Sequence, residues 1–442
     1  MKAAFVVVLA LAASAAAHAQ PAPQPAPPAR DYDFVLKGGH VIDARNKISA
    51  VRDVAVKDGR VAAVAASIPA EKALKAVDAS GLYVVPGLVD IHVHVYAGPK
   101  KNDYAGGDWS VFPDGFTLRS CVTTVADAGS SGWRNFEDFK SRVIDQSKTR
   151  VTAFLNIVGA GMGSGRIEQN LEDMEVQPTL DMALKYKGEV VGIKSAHFNG
   201  PEWTPYEKAL EVGRKAKIPV MVDFGGNVRA GRTLDDLLTK HFRPGDIYTH
   251  TYGGRRGEQD PATQGPSRAM VEGRKRGVIF DVGHGGSSFR WATAAPLMKA
   301  GFIPDSISTD LHTSSMNAAM KNMLNVMGKF LAMGMSLDEV IARSTWNPAR
   351  EIQLEQLGNL SVGSPADIAV LRLEKGKFGF LDPAGGRIDG DRRLSCELTL
   401  RDGIVVHDEN GMTGEPWEKV GEGTAHDPRW INLGRWTPAG RQ

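Results

Sequence analysis

Cysteine is scarce in this 442-residue chain: there are two, Cys121 and Cys396, too few for a fold built on disulfides. Charge of one sign is lacking as well. Lys and Arg number 53 against 51 Asp and Glu, a formal net charge of +2, which gives no electrostatic reason to expect nucleic acid or an anionic membrane as a partner. Past the first twenty residues no apolar run approaches the roughly 20 residues a bilayer-spanning helix needs. Low complexity is missing too, since 42% hydrophobic and 24% charged residues describe a chain that can bury a core. Its length exceeds what one hydrophobic core commonly supports, so one large domain with a smaller companion is expected. The two cysteines read as separate buried thiols.

What is present begins with an address. Met1-Lys2 precedes an apolar run over residues 3–17, and Ala17-His18-Ala19 places small residues where a signal peptidase reads them. Residues 1–19 are expected to be a signal peptide, and residues 20–32 a Pro-rich extended tether. The mature chain is then expected to be periplasmic or secreted, with no membrane attachment after cleavage.

Residues 33–85 carry short β-branched runs separated by Gly and Asp-Gly turns, the pattern of hairpins. Similar text returns in residues 353–442, at 366–371 and 398–406. Between them, over 86–352, apolar strands alternate with amphipathic stretches, which argues for parallel βα units. Eight strands can be placed, at 83–95, 122–127, 151–158, 190–196, 219–224, 247–252, 278–282 and 306–310. Helices are expected between them, for example at 203–216 and at 336–343, where Ser336-Leu337-Asp338-Glu339 is a capping box. The expected fold is α/β: a (β/α)8 TIM-type barrel beside a small β-sandwich built from both chain ends. In such a barrel the chemistry sits at the carboxyl ends of the strands.

Polar residues with chemical potential cluster at those ends. His92 and His94, two apart on a strand, face the same way and can hold one divalent ion. Lys194 ends the apolar run Val190-Val191-Gly192-Ile193, where a bare ammonium is costly to desolvate. It either pairs with a carboxylate or is carbamylated into an anionic ligand. His250 and Asp310 end two further strands, and an acid at the latter position could touch a metal and take a proton from water. The paired arginines Arg255-Arg256 read as a solvated face.

These motifs, in this order, resemble the amidohydrolase superfamily: Pro86-Gly87-Leu88-Val89-Asp90-Ile91-His92-Val93-His94, the strand lysine, the strand histidine and the last-strand Asp. Gly358 to Asp367, leading into the returning β block, fits as well. Within the superfamily the chain resembles the dihydroorotase-like branch, most nearly its metallo-deacetylases, and Asp281-Val282-Gly283-His284-Gly285-Gly286-Ser287-Ser288-Phe289 is similar to their seventh-strand motif. The resemblance implies His92, His94 and Asp310 on one ion, a carbamylated Lys194 bridging to a second, and His250 on that second ion, with zinc the usual metal. One position departs: the superfamily expects a ligating histidine at the end of strand five, where this chain has Asp223. Either Asp223 or His197 could supply the missing ligand, or Asp223 could orient His197.

The activity so implied is hydrolysis of a small-molecule amide or ester, with Asp310 as proton carrier. His284 is the further catalytic candidate, and Arg166, His284, Tyr252 and Ser287 are the candidate substrate contacts. Tyr96 and Phe289 are expected near the pocket. A cyclic amidase or lactonase, in the manner of dihydroorotase and hydantoinase, is the second reading, and a metal-free scaffold is the third. Homo-oligomerisation is left open.

Overall fold

The computed structural model describes residues 30–98, 109–163, 166–225 and 231–419. The expected signal peptide and most of the expected tether lie outside these. Among the described residues no helix is long and apolar enough to cross a membrane.

The first sheet is sandwich-like and draws on both ends of the chain. It contains β1 (Tyr32–Asp43), β2 (Ile48–Lys57), β3 (Arg60–Ala65), β4 (Ala73–Asp78) and β5 (Tyr83–Pro86). The second sheet follows in the chain as β6 (Leu88–Val93), β7 (Val122–Gly132), β8 (Arg150–Asn156), β9 (Val190–Ser195), β10 (Val220–Val222), β11 (Ile247–Tyr248) and β12 (Ile279–Phe280). The chain then returns to the first sheet with β13 (Ile368–Leu381), β14 (Arg387–Arg401) and β15 (Ile404–Asp408).

In the terminal sheet the strand order is β15-β14-β13-β5-β1-β2-β3, with β4 also on β1. The joint between the chain ends is the antiparallel β5–β13 pair, in which Val84 faces Val370. Phe34, Leu36, Val54 and Val84 from the first end share one apolar cluster with Ile368, Val370, Leu398 and Leu400 from the other. Neither end could bury that surface alone, so hydrophobic burial is what fastens them together.

All pairs of the second sheet are parallel, and strands consecutive in sequence are neighbours in space. Helices fill the connections. Thr204–Ala216 buries Tyr206, Ala209, Leu210 and Gly213, the i, i+3, i+4, i+7 stripe of a helix lying on a sheet. The helix Leu337–Ala342 begins with the expected capping box, Ser336 and Glu339 exchanging side-chain-to-backbone bonds.

Two expectations about strands need correcting. Residues 83–95 are not one strand. The chain changes sheets at Gly87, whose N–H donates to Asp367 O at 2.8 Å, so β5 lies in the terminal sheet and β6 in the parallel one. Residues 306–310 form no regular strand, yet together with Leu311 they bond to both edges of the parallel sheet. On one side Val282, His284 and Gly285 donate to Ser306, Ser308 and Thr309. On the other, His94 N donates to Leu311 O at 2.8 Å. Left-handed backbone at Asp310, φ 51°, breaks the regular ladder there.

The cysteine expectation also fails. Cys121 and Cys396 are joined in a disulfide across 275 residues, not held as separate thiols. Cys121 stands just before β7 and Cys396 lies in β14, so the bond ties the two sheets together. Only the tertiary fold brings these residues close, and local sequence could not show it. Because the bond closes a very long loop, replacing both cysteines with Ala is expected to cost roughly 2–5 kcal/mol of unfolding free energy. Chemical denaturation of the double variant beside the wild type measures this. An unchanged midpoint would show that the bond does not constrain the unfolded chain.

Candidate metal centre and active site

The carboxyl ends of the parallel strands deliver one buried polar cluster. His92 lies in β6, His94 one residue past it, Lys194 in β9, Asp223 one residue past β10, and His250 two past β11. Asp310 arrives from the segment that bonds both sheet edges. A cavity of about 370 Å³ opens on these six residues and is also lined by Trp109, Met162, His197, Ser287, His312 and Ser314. A larger cleft, about 940 Å³, opens beside Arg372 and Arg393 of the terminal sheet. No histidine lines it, so it does not carry the chemistry.

Within the cluster, His92, His94 and Asp310 each offer one ligand atom, and these atoms all lie within 4.8 Å of one another. Asp310 Oδ1 is 3.1 Å from His94 Nε2 and 3.6 Å from His92 Nε2. The other nitrogen of each ring is engaged: His92 Nδ1 with Thr249 Oγ1 at 2.9 Å, His94 Nδ1 with Ser130 Oγ at 3.0 Å. Thr249 Oγ1 donates onward to Asp281, so it accepts from His92. That fixes the tautomer with a lone pair on His92 Nε2, aimed at the cluster. Two imidazoles and a carboxylate converging in this way fit a divalent transition-metal ion.

The backbone is shaped to suit. His197, His250 and Asp310 all have positive φ, at 55°, 61° and 51°, a strained conformation for residues bearing a Cβ, and one that clusters at functional sites. Glycine makes room opposite two of them. A Cβ on Gly283 would lie 2.3 Å from Thr249 Oγ1 and 2.8 Å from His250 Nδ1, and one on Gly285 would lie 2.3 Å from Asp310 Oδ2.

Electrostatics divides the groups. Burial, aided by the Lys194 ammonium, pushes His92 down to about 3, so the ring is neutral and free to ligate. Burial likewise lowers Lys194. Burial opposes ionisation of Asp310 and Asp223, but their neighbours outweigh it. His92, His312 and His94 hold Asp310 ionised, and Arg256, His250 and His197 hold Asp223 well below the usual carboxylate range.

Several predicted residues sit elsewhere. His284 does not line the cavity. It is fully buried, stacked on Phe289 at 4.7 Å. Its Nε2 accepts from Lys329 Nζ at 2.7 Å, and Nδ1 engages Gly285 O at 2.9 Å. Its part is to hold the turn that faces Asp310. Tyr252 is also wholly buried and donates its hydroxyl to Phe302 O, so its ring is core. Tyr96 is core as well, its hydroxyl donating to Asp138. Arg166 is exposed and is not among the residues lining the cavity. Ser287 is at the cavity wall.

Sequence reading missed other residues. Arg256, taken for a solvated arginine, is buried and donates to Asp223 Oδ1 at 2.7 Å. Asp281 accepts from Thr249, Ser306 and Ser308, and Asp90 accepts from the backbone N–H and hydroxyl of Thr309. Glu168 engages His197, and Trp109 and His312 shape the rim, their ring centroids 5.8 Å apart. The strings around Asp281 and His312 were visible in the sequence. Arg256 and Glu168 left no local signal.

Comparison with known proteins agrees with this geometry. The pattern of the Amidohydrolase family matches residues 289–396. A deacetylase of Brucella anthropi is 33% identical over 332 residues, 73% of this chain and 80% of that protein. The crystal structure of an adenine deaminase is similar with a TM-score of 0.77 at 28% identity, over 86% of this chain and 100% of that one. That of a dihydroorotase reaches 0.73 at 27%, over 85% and 97%. This chain belongs to the amidohydrolase superfamily. It is a hydrolase whose relatives include deacetylases, and it has a buried His-His-Asp group suited to a metal.

A pH dependence follows for the metal-free protein. Folded His92 refuses a proton down to about 3, while the unfolded residue takes one below its ordinary 6.5. The unfolded state therefore binds more protons in that window, and stability rises with pH from about 3 to 6.5. His197 has the opposite shift, raised by Glu168 and Asp223 against burial, so its contribution is complete below 6.5 and is lost only as pH climbs above that. Urea midpoints between pH 3 and 6.5 are expected to climb in the wild type and to climb less in His92→Gln. Equal slopes would clear His92 as the responsible group.

Proposed function

We propose that this protein is a metal-dependent hydrolase that removes an acyl group, acetyl or similar, from the nitrogen of a small molecule. The observation that carries this reading is the convergence of His92, His94 and Asp310 at the wall of a cavity of about 370 Å³, a volume suited to a small ligand. The relative of Brucella anthropi named a deacetylase supports the choice of acyl group. We further propose that the strand-bearing region closes into a (β/α)8 barrel over residues 86–352, supported by the bonds from residues 306–311 to both sheet edges. Export to an oxidising compartment, the periplasm or beyond, is supported by the Cys121–Cys396 disulfide.

A divalent ion, zinc by family resemblance, would supply Lewis acidity on His92, His94 and Asp310, lowering the pKa of water and polarising a carbonyl. The protein's own residues do the rest. Asp310 commits Oδ1 to the two histidines and keeps Oδ2 on the side of His312 Nε2, 3.9 Å away. From there it can take a proton from water and hand it to the departing nitrogen. Ser287 and Ser314, on the wall, offer hydroxyls to the acyl oxygen, and the indole of Trp109, 46% exposed, offers a flat apolar surface at the mouth. Lys194, buried and with its ammonium disfavoured by that burial, is the proposed carbamylation site.

Turnover of a panel of N-acyl amino acids, cyclic amides and lactones, before and after chelation, tests the assignment. N-acyl compounds are expected to be hydrolysed, activity to vanish on chelation and return with zinc, and Asp310→Asn to lower kcat by roughly 10²–10⁴-fold. Turnover of ring substrates alone would favour a cyclic amidase. Full activity in thoroughly chelated protein would end the metal reading.

A further inference from the structure

The larger cleft, about 940 Å³, takes no part in the chemistry above, yet it has two distinct zones. Its floor is apolar: Val122, Leu311, Met323, Phe380 and Leu394 line it and are all buried. Its rim is charged, and most of that charge is already paired. Arg393 meets Glu374 at 2.8 Å, Arg372 meets Glu397 at 2.7 Å, and Glu409 meets His407 at 3.2 Å. Arg119, Lys321 and Lys377 also line the cleft and are exposed. Among the described residues no carboxylate stands within ion-pair distance of any of them. The rim therefore carries an uncompensated positive charge above an apolar floor. Lys321 is held there with left-handed backbone, φ 63°, which costs free energy in a residue bearing a Cβ.

The floor also reaches the metal centre from behind, because Asp90 and Thr309 line the same cleft. The buried Asp90 carboxylate accepts from the Thr309 backbone N–H at 3.0 Å, from the Thr309 hydroxyl, and from the His92 backbone N–H at 3.3 Å. One side chain thus clips the strand that carries His92 to the segment that carries Asp310. Leu311, on the other side of Asp310, closes that segment onto His94 by accepting its N–H at 2.8 Å. A molecule seated on the floor would press on the clip and on Leu311, and it would stay outside the cavity of about 370 Å³ where the histidines converge.

We infer that this cleft is an effector site for a small organic anion with an apolar body. The body lies on the floor, the charge stays at the rim among Arg119, Lys321 and Lys377, and occupancy stiffens the clip that sets His92 against Asp310. Burial of the body supplies the attraction, and a rim of one uncompensated sign selects a carboxylate, phosphate or sulfonate over a cation. The regulatory meaning rests on the metal-dependent reading above, since the stiffened segment carries its ligands; the binding itself does not.

A dye titration and hydrogen exchange test it on metal-free, full-length protein. The probe is anilinonaphthalene sulfonate, an aromatic anion whose fluorescence rises in apolar surroundings. Saturable binding is expected, weakened about tenfold in Arg119→Glu/Lys321→Glu/Lys377→Glu and weakened by added salt. The three side chains are exposed, so charge reversal should leave the fold intact, which circular dichroism checks. With the dye at saturation, exchange of the His92 and Thr309 backbone amides is expected to slow about fivefold or more. Absence of saturable binding overturns the inference, as does equal affinity in the triple variant. Binding that leaves exchange at His92 and Thr309 unchanged overturns it too. None of these results touches the hydrolase reading, which stands or falls on zinc-dependent turnover.

Discussion

Everything chemical in this structure depends on keeping nitrogen lone pairs turned inward. A histidine ring has two nitrogens, and only one can serve as a ligand when the other carries hydrogen. Thr249 sets that choice for His92 and the Gly283 carbonyl for His250. None of these partners touches the cavity centre except through its imidazole. Remove such a partner and the ring can turn or change tautomer, while the ligand residue itself remains in the sequence. The partners are therefore as much a part of the site as the histidines.

Holding them requires backbone that side chains ordinarily resist. His197, His250 and Asp310 take left-handed φ, and Gly283 and Gly285 stand close against Thr249, His250 and Asp310. A turn of such shape needs support from outside itself. Lys329 provides some of it, donating to His284 Nε2, to Ala319 O and to Leu381 O, each at 2.7 Å. Leu381 ends β13, so the terminal sheet reaches, through one buried lysine, the turn that faces Asp310. The disulfide between Cys121 and Cys396 is a second tie between the same two layers. The terminal sheet thus acts as a buttress for the site, a role that its distance from the chemistry conceals.

The sequence was legible where chemistry follows from local pattern. His92 and His94 share a strand face because strands alternate, and Lys194, His250 and Asp310 end apolar runs, so their convergence followed once the runs were read as parallel strands. The alternation of strands and helices and the return of β text near the C-terminus were equally visible. What failed depended on three-dimensional neighbours. His284 sits at a strand end like the ligands, yet Lys329, 45 residues away, claims its ring. Tyr252 follows His250 by two residues, but the left-handed turn at His250 sends it into the core. Arg256 looked like a surface cation because its partner is 33 residues distant. Residues 306–310 had the composition of a strand, and the conformation that Asp310 needs as a ligand removed the regular ladder.

Asp223, at the end of β10, shows how a charge is kept in a buried site. A carboxylate there brings a negative charge into a buried region, which is costly unless compensated. Arg256 supplies that compensation at one oxygen, which is why Asp223 can stay ionised while almost fully buried. His197, on the loop after β9, meets the same carboxylate and has Glu168 behind it. The four side chains form one charge network: Arg256 and His197 both meet Asp223, and Glu168 meets His197 from the other side. Arg256 and Glu168, which sequence alone gives no reason to notice, are what balance the charges packed around Asp223 and His197.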